Sequence, residues 1–187
     1  MKETIRTLIP EEKLEERIAE LAAQISRDYE GKSVHLICVL KGSIFFTASL
    51  AKRMTVPVTI DCMDVSSYGS GTESSGIVRM VKDLDEPIEG KDVIVVEDII
   101  DTGHTLEYLL GNLQARGPKS VRLCTMLDKP SRRVVDVKVD YTGFEIPDEF
   151  IVGYGLDYDE KYRALPYIGI LHLEEEGGHE EGDWESE

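Results

Sequence analysis

The sequence predicts an α/β fold with a doubly wound, mainly parallel sheet flanked by helices. Two observations predict it: segments of strand length alternate with helical patterns along the chain, and Asp92–Val96 is a compact run rich in β-branched residues. Such runs are typical of parallel strands that are covered on both faces. Alternation of strand and helix is the pattern of β-α-β units.

The first half of the chain opens with a helix, a strand and a second helix. Pro10 begins a helical pattern, since proline is tolerated in a first turn and apolar residues follow at spacings of three and four. Gly31 would end this helix. Val34–Leu40 then has the pattern of a buried strand, and Ser43–Met54 that of a second helix.

A long hairpin is predicted next. Pro57–Ser67 is expected to be extended, and Ile77–Lys82 returns as a second strand. Between them, Tyr68–Gly76 is rich in Gly and Ser and has no apolar anchor after Tyr68, which predicts a mobile loop.

The second half continues the alternation. A helix is predicted over His104–Ala115, closed by Gly117 and Pro118. Further strands are predicted at Ser120–Leu127, Phe150–Tyr154 and Tyr167–His172.

Length and charge predict one domain with an acidic appendage. The 187 residues fit a single domain over 1–173. The formal net charge is −16, from 21 Lys and Arg against 37 Asp and Glu, and the tail Glu174–Glu187 holds eight acids without a Lys or Arg. Such a block predicts a disordered, solvated tail. The acidic body argues against broad nucleic-acid binding.

The cysteines and the apolar runs predict a cytoplasmic protein. Cys38, Cys62 and Cys124 form no CxxC pair and lie among apolar residues, so we expect buried, reduced thiols that suit a reducing cytosol. The opening residues lack a signal-peptide core, and no apolar run approaches the roughly 18 residues that a membrane span needs.

The segment Val93–Thr105 carries the clearest chemical signal. Apolar residues forming a strand are followed by Glu97 and Asp98, and the next loop brings Asp101 and a Thr-Gly-x-Thr sequence at a helix start. Ligands bind outside the carboxyl ends of strands in open α/β sheets, and loop amides at a helix N-terminus suit a phosphate. Adjacent acids suit sugar hydroxyls or hydrated Mg²⁺.

An ordinary strand–loop–helix turn is the alternative for single residues of this segment. Asp101 or Thr102 could be a simple N-cap of the helix. That alternative does not account for two acids at a strand end before a third in the loop.

The segment Val93–Thr105 resembles the phosphoribosyl-pyrophosphate (PRPP) motif of type I phosphoribosyltransferases. From about Leu8 to Leu173 the chain is similar to the hypoxanthine–guanine phosphoribosyltransferase family. The similar pieces occur in the family's order: Leu40–Ser43, Ser66–Gly69, Val96–Gly103, Leu127–Lys129, Gly143–Tyr158 and Arg163. The resemblance implies a small hood region, a flexible loop, and Mg²⁺-dependent transfer from PRPP to N9 of hypoxanthine or guanine.

The resemblance also assigns the sugar and phosphate contacts. Asp101 matches the acid beside purine N7, a proposed general base. Glu97 and Asp98 match the acids that hold the ribose hydroxyls and Mg²⁺. The matching 5′-phosphate loop comprises Asp101, Thr102, Gly103, His104 and Thr105. For His104, a solvated helix-start residue is the alternative to a phosphate contact.

Pyrophosphate contacts are implied at two separate places. Leu40, Lys41 and Gly42 match the pyrophosphate loop, whose Leu–Lys peptide can be cis in relatives, and Arg163 matches a second contact. Asp157 matches a ligand of a second Mg²⁺ near pyrophosphate and purine. Without the resemblance, these charges would be assigned to a solvated surface.

The purine contacts are implied by the later part of the chain. Lys129 matches the donor to the 6-oxo group, which disfavours adenine, whose 6-amino group also donates. Phe150 matches the aromatic that stacks on the base, with core packing in a strand as the alternative, and the Ile151 backbone matches a contact to the base edge. Ser67 and Tyr68 match the loop that closes over the site.

Two other functions stay open at this point. One is a phosphoribosyltransferase for another base, xanthine above all, because contacts at C2 of the purine cannot be read from the sequence. The other is a regulator of the same fold that senses PRPP without catalysis. Relatives form dimers and tetramers, so we expect a homodimer or a homotetramer.

Overall fold

The structure, a computed structural model, describes residues 2–68 and 77–174. Its strands are β1 (Lys2–Ile9), β2 (Val34–Val39), β3 (Val58–Tyr68), β4 (Ile77–Lys82), β5 (Asp92–Ile100), β6 (Ser120–Asp128), β7 (Tyr141–Glu145), β8 (Ile151–Val152) and β9 (Ile168–Glu174). Its helices are α1 (Glu11–Asp28), α2 (Ile44–Arg53) and α3 (His104–Gln114), and a 3₁₀ turn covers Pro130–Arg132. The first residues of the predicted mobile loop Tyr68–Gly76 and of the predicted acidic tail Glu174–Glu187 end β3 and β9, and the rest of both segments lies outside the described residues.

A six-stranded sheet forms the body of the protein. Its order is β4-β3-β2-β5-β6-β7, with β4 antiparallel at one edge and the other neighbouring pairs parallel. The predicted mainly parallel sheet and the predicted hairpin of β3 and β4 are both confirmed. The parallel strands end at one edge, where the loops that contain Lys41 and Asp101 follow β2 and β5.

Helices cover both faces of this sheet, which confirms the doubly wound arrangement. On one face, Leu36, Ile94 and Val96 pack with the apolar residues of α1 and α2. On the other face, Ile37 and Val95 pack with Leu106, Leu109 and Leu113 of α3. Successive residues of a strand point to opposite faces, so an uninterrupted apolar run can fill both cores.

Several boundaries differ from those predicted. Strand β5 runs on to Ile100, because its ladder with β6 continues as far as the pair Ile100 and Asp128. Glu97 and Asp98 therefore lie within β5, near its C-terminal end, and not beyond it. The strand predicted over Phe150–Tyr154 is reduced to the two residues of β8.

A second, three-stranded sheet has the order β1-β9-β8. Strand β1 was not predicted, because its residues are largely polar and its partner β9 lies at the far end of the sequence. Strand β7, also not predicted, extends the main sheet beyond β6. The three-stranded sheet β1-β9-β8 is the part of the structure that corresponds to the expected hood region.

The cysteine prediction is correct for two of the three thiols. Cys38 and Cys124 are buried, whereas Cys62 on β3 is half-buried, and all three are free. None of the helices formed by residues 2–68 and 77–174 combines the length and the apolar character needed to cross a membrane.

Candidate active site

A cavity of about 240 Å³ lies at the carboxyl edge of the main sheet. It is bounded by the ends of β2 and β5 and by the loop into α3. Residues from the predicted ribose and phosphate contacts line it: Leu40, Glu97, Asp101, Thr102, Gly103 and Thr105. The structure therefore brings these predicted residues together around one space.

The N-terminus of α3 carries no side-chain cap. Gly103 precedes the helix with a φ of 93°, a left-handed conformation that glycine adopts without strain, and no side chain accepts from the first amides. In the described residues, the amides of positions 101–105 donate no hydrogen bond to backbone outside the regular elements. The alternative in which Asp101 or Thr102 caps the helix is wrong, and these amides are free to bind an anion.

The carbonyl groups that lead into this loop are held from one side. Three successive carbonyls, at positions 100–102, accept hydrogen bonds from the segment 129–135. Lys129 N donates to the Ile100 carbonyl at 3.0 Å, Arg133 Nε to the Asp101 carbonyl at 3.2 Å, and the amides of Val134 and Val135 to the Thr102 carbonyl at 3.0 and 3.2 Å. In a trans peptide the N–H points opposite to the C=O, so the amides of residues 101–103 are directed away from that segment.

Glu97, which is buried, and Asp98, which is half-buried, form an acidic pair beside the cavity. The Asp98 amide donates to Glu97 Oε1 at 3.2 Å, and the Ile99 amide donates to Asp98 Oδ1 at 2.7 Å. Burial raises the pKa of both carboxyl groups, and the charge of Asp98 raises that of Glu97 further. The Arg163 guanidinium opposes the rise for Asp98. Two desolvated acids at one place favour a bound cation.

Acidic side chains do not converge into a complete metal cage. Within residues 2–68 and 77–174, no three His, Cys, Asp or Glu side chains are arranged to hold an ion. Glu97, Asp98 and the more distant Asp157 can therefore supply some oxygen ligands for Mg²⁺, while water and phosphate oxygens would supply the others, which is the usual manner of Mg²⁺ binding.

The predicted pyrophosphate residues are joined by ion pairs. The Leu40–Lys41 peptide is cis. Lys41 Nζ lies 3.2 Å from Glu160 Oε2, and Arg163 Nη2 lies 3.0 Å from Asp157 Oδ1 and 3.5 Å from Glu160 Oε1. Glu160 thus touches both predicted pyrophosphate cations, and sequence reasoning missed it because it reads as one more acid in an acidic loop.

The predicted purine residues adjoin this region. Lys129 is buried, and its Nζ donates to the Glu149 carbonyl at 2.7 Å. The Phe150 ring is 52% exposed and packs edge to face on Tyr158 with centroids 5.5 Å apart, so its alternative as a strand core residue is wrong. Ile151 is buried in β8, where it pairs with Ile170.

Ser67 and Tyr68 end strand β3, in register with Val78 and Ile77 of β4. The loop that they were expected to begin, at positions 69–76, lies outside the described residues. Their role in closing the site stays a prediction. His104 is half-buried in the first turn of α3, and its contact with phosphate likewise stays a prediction.

A sequence model described as the phosphoribosyl transferase domain matches residues 7–159, most of the chain. The chain belongs to the phosphoribosyltransferase family. The family membership and the fold predicted from the sequence are confirmed by this match.

Several members of the phosphoribosyltransferase family are about 50% identical to this chain. Hypoxanthine phosphoribosyltransferase of Salmonella typhimurium is 51% identical, over 94% of this chain and 100% of its own length. Hypoxanthine-guanine phosphoribosyltransferase of Streptococcus thermophilus is 50% identical, over 92% and 96%. This chain spans 26% of the length of another relative, the bifunctional protein TilS/HprT of Listeria monocytogenes, to which it is 52% identical.

The fold agrees with a solved phosphoribosyltransferase structure. The crystal structure of a hypoxanthine-guanine phosphoribosyltransferase from Bacillus anthracis superposes with a TM-score of 0.86 and is 54% identical, covering 89% of this chain and 99% of that one. The chain therefore belongs to the hypoxanthine phosphoribosyltransferase branch of the family.

Proposed function

We propose that this protein transfers the 5-phosphoribosyl group from PRPP to N9 of hypoxanthine, and of guanine, in purine salvage, giving IMP or GMP and pyrophosphate. The observation that carries the proposal is the uncapped N-terminus of α3 beside the acidic pair of buried Glu97 and half-buried Asp98. Anion-binding amides next to cation-favouring acids suit a phosphorylated sugar that brings its own metal.

The sugar phosphate would be held by the α3 loop. The amides of residues 101–105 bind the 5′-phosphate, and the hydroxyls of Thr102 and Thr105 add donors. Glu97 and Asp98 accept hydrogen bonds from the ribose hydroxyls and would hold Mg²⁺. When bound, Mg²⁺ supplies positive charge that neutralises the pyrophosphate leaving group.

The purine would lie between Lys129 and the exposed face of Phe150. Lys129 donates to the 6-oxo group, and the half-exposed Phe150 ring offers an apolar surface to stack on the base. The Asp101 carboxylate accepts the proton of purine N7 as N9 attacks C1 of the ribose. Developing positive charge on the ribose follows the pattern of other glycosyl transfers.

The pyrophosphate would be bound by Lys41 and Arg163. Asp157, whose Oδ1 lies 3.0 Å from Arg163 Nη2, would be a ligand of a second Mg²⁺ near the pyrophosphate. Both cations are paired with carboxylates in this structure. Closure of the loop begun by Ser67 and Tyr68 would then exclude water from the reacting sugar.

The proposal also covers the domain organisation, the cellular compartment and the oligomeric state of the enzyme. Residues 1–173 form one phosphoribosyltransferase domain, followed by an acidic tail. The free thiols of Cys38, Cys62 and Cys124 suit the reducing cytoplasm. Ile44 and Phe45, 48% and 42% exposed at the start of α2, offer an apolar surface for association into a homodimer or homotetramer.

A panel of initial rates tests the function. Purified protein is assayed with PRPP and Mg²⁺ against hypoxanthine, guanine, xanthine and adenine, and each reaction is repeated with excess chelator. We expect nucleotide from hypoxanthine and guanine, little from adenine, and loss of turnover with chelator. Tight PRPP binding without turnover of any base would favour the sensing function, and undiminished turnover with chelator would remove Mg²⁺ from the proposal.

A further inference from the structure

Arg132 forms an ion pair with the proposed general base. Its Nε donates to Asp101 Oδ1 at 2.8 Å, and the two side chains are 47% and 44% exposed. Within the described part of the chain, Asp101 Oδ2 has no hydrogen-bond donor. One oxygen of the carboxylate is thus occupied by a guanidinium, while the other is free for a ligand.

The Arg132 side chain is itself held from the purine side of the site. Its Nη1 lies 3.6 Å from Asp148 Oδ2, and the other Asp148 oxygen lies 3.7 Å from Lys129 Nζ. The backbone also joins these two residues, because the Arg132 amide donates to the Lys129 carbonyl at 3.0 Å. Arg132 therefore connects Asp101, the proposed general base, to Lys129, the proposed donor to the purine.

The backbone of Asp101 is fixed independently of its carboxylate. Arg133 donates to the Asp101 carbonyl and pairs with Asp128, so it holds the loop in place. The terminal torsion of an aspartate is broad, and a fixed main chain leaves the carboxylate free to turn. A directional N–H donor on one oxygen removes that freedom.

We propose that Arg132 is a positioning residue for Asp101, holding Oδ1 so that Oδ2 faces the N7 proton of the purine. The inference rests on the proposed function, since it needs Asp101 to act as the base. An exposed ion pair adds little to the stability of a fold, so the pair is expected to matter for orientation of the reacting groups.

Asp148 supports the same arrangement from the segment before β8. Its carboxylate pairs with both Arg132 and Lys129, so it links the partner of the general base Asp101 to the proposed donor to the 6-oxo group. A purine that fits between Lys129 and Asp101 thus meets two side chains whose positions are set together.

A double-mutant cycle tests the inference. The variants are Arg132→Ala, Asp101→Asn and the double replacement, with Arg132→Lys as the conservative change and Lys138→Ala, an exposed lysine of the same connection, as the control. We expect Arg132→Ala to lower kcat by roughly tenfold to a hundredfold, with KM for PRPP and the unfolding temperature nearly unchanged. Arg132→Lys should recover part of kcat, and Lys138→Ala should match the wild type.

The decisive quantity is the coupling between the two positions. If Arg132 acts through Asp101, Arg132→Ala should cause little further loss in the Asp101→Asn protein. Losses that multiply independently, or a raised KM with unchanged kcat, would overturn the positioning role while leaving the enzyme activity in place. A wild-type protein without turnover would overturn the proposed function and this inference together.

Discussion

The carboxylate of Asp98 occupies the space in which a side chain at position 42 would begin. A Cβ added to Gly42 would overlap Asp98 Oδ2, and a Cβ added to Gly155 would overlap the Gly42 carbonyl. The loop proposed to bind pyrophosphate is therefore packed between the acid proposed to bind ribose and Mg²⁺ and the segment that carries Arg163. These three parts of the site form one packed unit.

Gly42→Ala should disturb this unit. The new methyl group must displace the Asp98 carboxylate, so we expect KM for PRPP to rise at least tenfold and the free energy of unfolding to fall by about 1–3 kcal/mol, the usual cost of overpacking. Gly111→Ala is the matched control, because no atom within 4 Å would meet its Cβ and alanine favours a helix. A fully active Gly42→Ala protein would contradict the packing argument.

Asp101→Asn should separate binding from catalysis. The amide keeps the shape of the side chain but cannot take up the N7 proton, so we expect kcat to fall by roughly 10²-fold or more while PRPP still binds. Single-turnover rates and equilibrium binding of PRPP measure the two effects separately. Asp136→Asn, at an exposed acid in the β6–β7 connection, controls for loss of charge, and wild-type turnover in Asp101→Asn would exclude the base role.

Glu97→Gln should stabilise the ligand-free protein and weaken its binding of PRPP and Mg²⁺. Burial and the neighbouring Asp98 raise the pKa of Glu97, so its ionised form costs free energy in the folded protein. At pH 8 without ligands, we expect the variant to unfold about 2–4 °C higher, the equivalent of about 1 kcal/mol. Added PRPP and Mg²⁺ should raise the unfolding temperature less than in the wild type, and a less stable variant would contradict the expectation.

Glu160→Gln should strengthen the binding of pyrophosphate. Lys41 and Arg163 lower the pKa of the Glu160 carboxyl through their hydrogen bonds, so it stays ionised beside both cations and competes with the ligand. Removing its charge should lower the inhibition constant of pyrophosphate by a few fold, a modest effect since exposed ion pairs are weak. Asp159→Asn is the neighbouring control, and unchanged or weaker pyrophosphate binding in Glu160→Gln would exclude the competition.

His35 should make stability depend on pH. Burial, and then the charge of Lys91, lower its pKa in the folded state below the usual 6.5. The unfolded chain therefore binds the proton first, and the contribution of neutral His35 to stability is present above about pH 6.5 and is lost as the pH falls below it. His35→Asn should show a smaller fall in unfolding temperature between pH 7 and pH 5, and equal slopes would contradict this expectation.

The local features of the protein could be read from the sequence because their causes are local. Apolar runs and helical spacings define the helices and the central strands, and Glu97, Asp98 and the loop Asp101–Gly103 follow one another within a single β-loop-α unit. The edge of the sheet at which these residues lie also follows, since parallel strands all end at the same side.

The tertiary structure decided which distant residues complete the site. Asp101 meets Arg132 across 31 positions, and Lys41 meets Glu160 across 119. Arg132 ends a short 3₁₀ turn and Glu160 lies in a turn, and both stand among residues with the composition of a solvated surface, so no periodicity marks them. Strand order and the packing of the loops bring them to the acidic segment, because these contacts depend on the whole arrangement of the chain and not on the residues beside them. The sequence by itself determined the unit that suits the sugar phosphate, and the fold decided which charges surround it.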